Sequence, residues 1–222
     1  MQRKVPLVSG EYYHVFTRSI SRLIVFNSDH EYKRVLNLFR FYQIKDVTVK
    51  FSLLEKNLLT DEQYIDGFLL LNPNQEKLVQ IVAYCLMPTH IHLVLRQLAD
   101  QGISLFMGNV LNSYTRYFNL RHERKGPLWE GKFKNVLVRT DEQLNHLVRY
   151  VHLNPATAGI VNDPEQWSYS SYGEYLETRK NFRSISNSDG LFDMDPQNYR
   201  KFVLDQLSYQ KEIASIRHLI LD

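Results

Sequence analysis

The sequence predicts an α+β fold with a split βαβ core, a central antiparallel sheet and helices on one face. Three observations lead there. Short runs rich in aromatic and β-branched residues alternate with longer stretches of helical periodicity. Two apolar runs, Lys77 to Met87 and His90 to Leu95, are separated only by Pro88-Thr89, which reads as a hairpin. Gly102 to His122 carries Ile103, Phe106, Met107, Val110, Leu111, Tyr114 and Tyr117 at three- and four-residue intervals, one face of a long helix.

In chain order, Glu11 to Arg18 reads as the first strand, being mostly Tyr, His, Val, Phe and Thr. Asp29 is a candidate N-cap for a helix whose apolar face is Tyr32, Val35, Leu36, Leu38, Phe39 and Tyr42. Residues 43 to 78 read as an insertion, with possible strands at Val47 to Leu54 and Gly67 to Leu71 and a short helix from Thr60. The hairpin and the long helix follow. Gly126-Pro127 ends the helical pattern, and Phe133 to Val138 reads as a strand. Thr140 with Gln143 three residues on is a capping-box signature, opening a helix expected to stop near Asn154, before Pro155. Residues 1–162 then form one domain, and 163–222 a mostly helical extension. Without the insertion, the order strand, helix, strand, strand, helix, strand, helix is that of a ferredoxin-like core with one added helix.

Composition narrows the function. With 44% hydrophobic residues the chain can bury a substantial core, and the single cysteine, Cys85, excludes an internal disulfide and a cysteine-based zinc site. Nothing reads as a signal peptide or as an apolar run of about 18 residues, so a cytoplasmic protein with no membrane partner is expected. The net charge is only +3, yet Arg116, Arg121, Arg124, Lys125, Lys132, Lys134 and Arg139 cluster against just Glu123 and Glu130. That local excess suits a phosphate-bearing partner. Trp129, Phe133 and Tyr117 lie in the same segment and are either core or stacking platforms for unpaired bases.

The most informative stretch is Met87-Pro88-Thr89-His90-Ile91-His92-Leu93-Val94-Leu95. On a strand His90, His92 and Val94 share one face, and Ile91, Leu93 and Leu95 the other. Two neutral imidazoles on one face can share a cation. A second constellation lies in Leu147-Val148-Arg149-Tyr150-Val151-His152-Leu153-Asn154-Pro155, where Tyr150 and Asn154 are four apart on a helix face. The Asn154 side-chain oxygen could be a third ligand, leaving positions for water and phosphate oxygens, which suits Mg²⁺ or Mn²⁺. A tyrosine hydroxyl has an ordinary pKa of about 10. A neighbouring cation could favour its phenolate and polarise a phosphoryl group. His152, two residues from Tyr150, should face away from that site.

These pieces resemble the single-tyrosine HUH transposases, specifically the REP-associated tyrosine transposase branch of the IS200-like superfamily. Besides the two constellations, Tyr13-His14-Val15-Phe16-Thr17-Arg18, Gly126-Pro127-Leu128-Trp129-Glu130-Gly131-Lys132-Phe133 and Trp167-Ser168-Tyr169-Ser170-Ser171-Tyr172 occur in the family's order. The chain departs from it at Ser19, at Ala156-Thr157 and in its longer segment at 43–78. The resemblance implies a DNA transposase that cuts and rejoins single strands through a covalent 5′-phosphotyrosine. Tyr150 matches the nucleophile, His90 and His92 the metal-binding pair, and Asn154 the residue completing the site, with Mg²⁺ or Mn²⁺ as cofactor. Arg18, Arg116, Lys132, Lys134 and Trp129 are the candidate DNA contacts, and hairpin-forming single-stranded DNA the expected partner. Monomer and homodimer are both compatible with the sequence. Two other readings share these residues: a transposase-derived protein that binds hairpins without cutting, and a phosphodiesterase in which water attacks and Tyr150 only positions substrate.

Overall fold

A computed structural model describes residues 6–47, 51, 75–179, 184–188, 190–192 and 194–221. The helix expected from Thr60 and the strand expected at Gly67 to Leu71 lie outside the described residues; of the strand expected at Val47 to Leu54 only Val47 and Phe51 are described, and Phe51 is helical rather than extended. Four strands, β1 (Tyr12–Arg18), β2 (Val79–Met87), β3 (His90–Gln97) and β4 (Lys134–Val138), form one sheet in the order β2-β3-β1-β4, every pair antiparallel. Helices α1 (Asp29–Tyr42) and α2 (Gly102–Arg121) make the two crossovers. This is the split βαβ core predicted from the sequence.

The period-two alternation sorts the side chains. Tyr13 and Val15 of β1 and Ile91, Leu93 and Leu95 of β3 point to one face and pack against α1 and α2, with Leu38, Phe39, Phe106, Val110 and Tyr114 fully buried. His14, Phe16, His90, His92 and Val94 alternate with them. A register shift between Ile81 and Ala83 adds one residue to β2. It moves Ala83, Cys85 and Met87 to the face of Val94, while Tyr84 and Leu86 join the α1–α2 core.

The second face is only partly open, because α3 (Asp141–Thr157) lies over it. Leu144, Val148 and Val151 of α3 pack on Val94, Val138, Ala83 and Cys85. Thr140 caps the helix, its hydroxyl accepting from the Gln143 amide at 3.1 Å, while the Gln143 side chain accepts from Arg139 rather than from the cap residue. The helix does not stop at Asn154. Pro155 lies inside it, and bonds from Ala158 to Asn154 and from Ile160 to Pro155 carry the last turn past the missing N–H. Tyr150 is therefore held in a helix interior. At the start of α1 the cap is Ser28, with extended backbone, and Asp29 is the first helical residue, paired with Lys33 at 2.8 Å.

The chain after α3 contains α4 (Tyr172–Tyr175), α5 (Pro196–Leu204) and α6 (Leu207–Leu221). Residues 169–171 run beside β2: Leu86 donates to Tyr169 at 2.9 Å and Ser171 to Tyr84 at 3.0 Å. They cover the edge that β2 would otherwise expose. Tyr172, Leu176, Tyr199 and Val203 share one core with Val148, Val151 and Leu153, so the sequence boundary at 162/163 crosses a continuous hydrophobic cluster.

Candidate active site

The register places Phe16 opposite His92 and Arg18 opposite His90, so β1 and β3 bring an aromatic and a cation beside the two histidines. His90 and His92 share a face, with ring centroids 5.0 Å apart and planes nearly perpendicular. Sequence reasoning missed a third histidine. His14 Nε2 lies 3.0 Å from His92 Nδ1, and the two rings stack within 13° of parallel. The signal was present in β1, where Tyr13, Val15 and Thr17 are buried on the core face and His14 therefore faces the same side as His92.

Each member of the pair has its Nδ1 engaged. Thr89 Oγ1 is 2.9 Å from His90 Nδ1, and His14 holds His92 Nδ1. A proton on His92 Nδ1, donated to His14, leaves the His92 Nε2 lone pair open, the arrangement by which an outer partner prepares an imidazole for a cation. Burial pushes the His14 pKa down to about 4. Burial, reinforced by the Arg18 guanidinium, does the same for His90, and His92 is lowered further by burial and by its histidine neighbours. All three rings are accordingly neutral at pH 7, as metal ligation requires.

The pair lines a cavity of about 240 Å³ together with Phe16, Arg18, Glu130, Lys132 and Lys134. Three of the five residues expected to contact DNA, namely Arg18, Lys132 and Lys134, thus surround the histidines. Arg116 is exposed on α2 and does not line this cavity. Trp129 is buried, its indole N–H donating to Thr115 Oγ1 at 3.1 Å, and it reaches a neighbouring groove instead.

Tyr150 reaches His92 from α3, although neither it nor Asn154 is among the residues lining the cavity. Its ring is edge-on to His92 at 5.8 Å and to His14 at 6.2 Å. Asn154 lies one turn on, and its amide nitrogen donates to the Tyr150 carbonyl at 3.0 Å, leaving Oδ1 with no protein donor among the described residues. Other tyrosines are engaged elsewhere: Tyr114 donates to the Val25 carbonyl, and Tyr169 stacks on Tyr32 at 3.7 Å. His152 points away from Tyr150, as expected, into the core beneath α3. Among the described residues no three of His, Cys, Asp and Glu are grouped to hold a metal ion. A cation at the pair would therefore need an amide, water or phosphate oxygen, and Asn154 Oδ1 is a donor of that class.

The family model described as "Transposase IS200 like" matches residues 68–154. Over those residues, less than half of the chain, the sequence is similar to the IS200-like transposases. That match ends on Asn154 and contains the histidine pair and Tyr150, but neither His14 nor Arg18. A Haemophilus influenzae protein assigned as a REP-associated tyrosine transposase is 27% identical over 103 residues, 42% of this chain and 58% of that protein, so little more than half of that relative is matched. The REP-associated tyrosine transposase of Escherichia coli is 22% identical over 139 residues, 60% of this chain and 81% of the relative. A solved REP-associated tyrosine transposase bound to a REP hairpin superposes with a TM-score of 0.55 at 14% identity, over 87% of this chain and 94% of that one, which shows the shared fold. No helix among the described residues is long and apolar enough to cross a membrane.

Proposed function

We propose that this transposase relative cleaves and rejoins single-stranded DNA through a covalent link between Tyr150 and a DNA 5′ phosphate. The observation that carries the reading is the meeting of Tyr150 with His92, one of a histidine pair whose cavity is lined by Arg18, Lys132 and Lys134 along with Glu130. Hairpin-forming DNA is the proposed substrate, in keeping with the hairpin bound by the structural neighbour.

In the proposed reaction the Tyr150 hydroxyl oxygen attacks the scissile phosphorus. The tyrosine O–P bond forms, the bond from phosphorus to the 3′ oxygen breaks, and the 3′ oxygen leaves as a hydroxyl. The phenolic proton passes to solvent, and solvent supplies the proton that the leaving 3′ oxygen takes up. One phosphodiester replaces another, so a 3′ hydroxyl can later attack the phosphotyrosine and reseal a strand without ATP. Arg18, Lys132 and Lys134 hold the phosphate and offset its charge. His90 and His92, with Asn154 Oδ1, are the residues that would hold Mg²⁺ or Mn²⁺, and His14 orients His92 for that role. The bound cation would polarise the phosphoryl group and favour the phenolate.

The test is incubation of end-labelled single-stranded hairpin DNAs with the protein and Mn²⁺, resolved on a denaturing gel. A covalent adduct is expected with the parent, and Tyr150→Phe should reduce it at least a thousandfold while binding the same DNA. Cleavage without adduct would indicate water as the nucleophile. Hairpin binding with neither product would indicate a non-cleaving binder.

A further inference from the structure

Beside the histidine cavity lies a second, larger groove of about 510 Å³. Its floor is one stripe of α2, Ser104, Gly108 and Asn112, residues four apart that share a helix face. Its wall is the segment leading into β4, with Trp129, Lys132 and Phe133. Gly131 and Lys132 line both cavities, so the two are continuous around one lysine.

We infer that this groove takes the base of the nucleotide adjoining the phosphate held at the histidines. The inference rests on the reading of the histidine cavity as a phosphate site. Four features favour a base over other occupants. Trp129 and Phe133 are only 8% and 9% exposed, so the core fixes their rings and what they show the groove is a narrow, rigid aromatic edge. Asn112 is exposed on the floor and offers both a donor and an acceptor to a base edge. Lys132 stands where a sugar–phosphate linkage would join a base in the groove to a phosphate in the cavity. The volume lies in the range of small-molecule pockets.

Gly108 supplies an independent sign. A glycine inside a 20-residue helix destabilises it by roughly 0.5–1 kcal/mol relative to alanine. No crowding in the protein itself demands glycine there, since a Cβ at Gly108 would meet no atom within 4 Å. The bare backbone leaves the floor of the groove open.

The test uses Gly108→Leu, whose Cβ has open space and whose side chain would occupy the floor; its melting temperature should be equal to or above the parent's. Fluorescence anisotropy would compare a twelve-nucleotide oligothymidylate with an abasic oligomer carrying the same number of phosphates. The parent should bind the oligothymidylate about tenfold more tightly, a difference of about 1.4 kcal/mol for one base seated in the groove. Gly108→Leu should bring that affinity down to the abasic level, with abasic binding and its salt dependence unchanged. Retained discrimination in Gly108→Leu would overturn the inference, as would equal weakening toward both DNAs, which would make the groove a backbone site. A parent that binds neither oligomer would overturn the groove assignment, whereas the DNA reading stands or falls separately on the adduct formed with hairpin DNA.

Discussion

His92 and His152 are both buried imidazoles in contact with α3 residues or their neighbours, and burial is the main cause holding both in the neutral form. They differ in what their nitrogens do. His152 is fully enclosed, with Nδ1 2.7 Å from the Tyr199 hydroxyl and Nε2 2.7 Å from Ser171 Oγ. Both its nitrogens are satisfied, and its partners come from the chain beyond α3, so it ties that region to the helix. His92 has one nitrogen bonded to His14, while its other has no protein partner among the described residues, and its ring lines a cavity that also holds Arg18, Lys132, Lys134 and Glu130. A buried polar group with every bond made is structural. One with a bond left unmade beside a cavity is available to a ligand.

The sharpest way to break this comparison is to delete each side. His90→Ala with His92→Ala should abolish Mn²⁺ binding in a calorimetric titration and lower cleavage at least a thousandfold, with little change in melting temperature. His152→Ala should do the reverse. It leaves the Tyr199 hydroxyl without its partner and Ser171 Oγ with only the Tyr84 backbone, and opens a cavity in a sealed core, which should destabilise the fold by about 2–4 kcal/mol while Mn²⁺ affinity of the folded fraction stays the same. Equal Mn²⁺ affinity in the double variant would place the metal elsewhere.

A gradual acid loss of stability comes next in size. Burial lowers the His152 pKa to about 3 and those of His14 and His90 to about 4, against about 6.5 in the unfolded chain. Between those values the unfolded state binds more protons, so stability is fully present above pH 6.5 and falls as the pH drops toward 4. Urea titrations of the metal-free protein at pH 7 and pH 5 should show a difference of a few kcal/mol. His152→Gln should flatten this slope, because one of the depressed groups is gone. An unchanged slope would mean that His152 is not the buried neutral group described.

Much of the core was legible because strand and helix periodicity are local. The hairpin at Pro88-Thr89 and the face shared by His90 and His92 follow from a period of two. The spacing of Tyr150 and Asn154, and the opposite facing of His152, follow from the helical period. What stayed hidden depends on pairing between distant segments. His14 becomes His92's partner only because β1 lies beside β3, and the β2 register shift that assigns its faces has no periodic signature. Pro155 inside α3 shows a tertiary context overriding a local stop signal. The core positions of Trp129 and Phe133 likewise could not be told from stacking platforms by composition, since both roles call for the same rings.

The cations around the histidines should give a smaller, salt-dependent effect. Lys132 and Lys134 are exposed and line the cavity, whereas Arg116 does not. Lys132→Glu with Lys134→Glu should weaken single-stranded DNA binding by about tenfold to a hundredfold and reduce the salt slope by nearly one for each phosphate no longer neutralised. Arg116→Glu should do less. Equal effects from all three positions would mean that the DNA path is set by overall charge and not by the cavity.

The smallest effect is expected at His14, and it separates orientation from ligation. His14 is placed against His92 Nδ1, not in the wall of the cavity, so it should act through the tautomer and ring angle of His92. Removing such an outer partner typically costs 10–100-fold in metal affinity. His14→Ala should therefore weaken Mn²⁺ binding by about tenfold, well short of the loss from deleting the pair. His14→Gln keeps an acceptor near His92 Nδ1 and should restore most of that affinity. Nitrogen-15 NMR of the metal-free protein should find the His92 proton on Nδ1 in the parent and in His14→Gln, and a mixture of tautomers in His14→Ala. A role confined to packing would lower the melting temperature in both variants and leave the tautomer where it is. Complete loss of Mn²⁺ binding in His14→Ala would instead make His14 a ligand, and the division between the bonded and the open nitrogen of His92 would have to be redrawn.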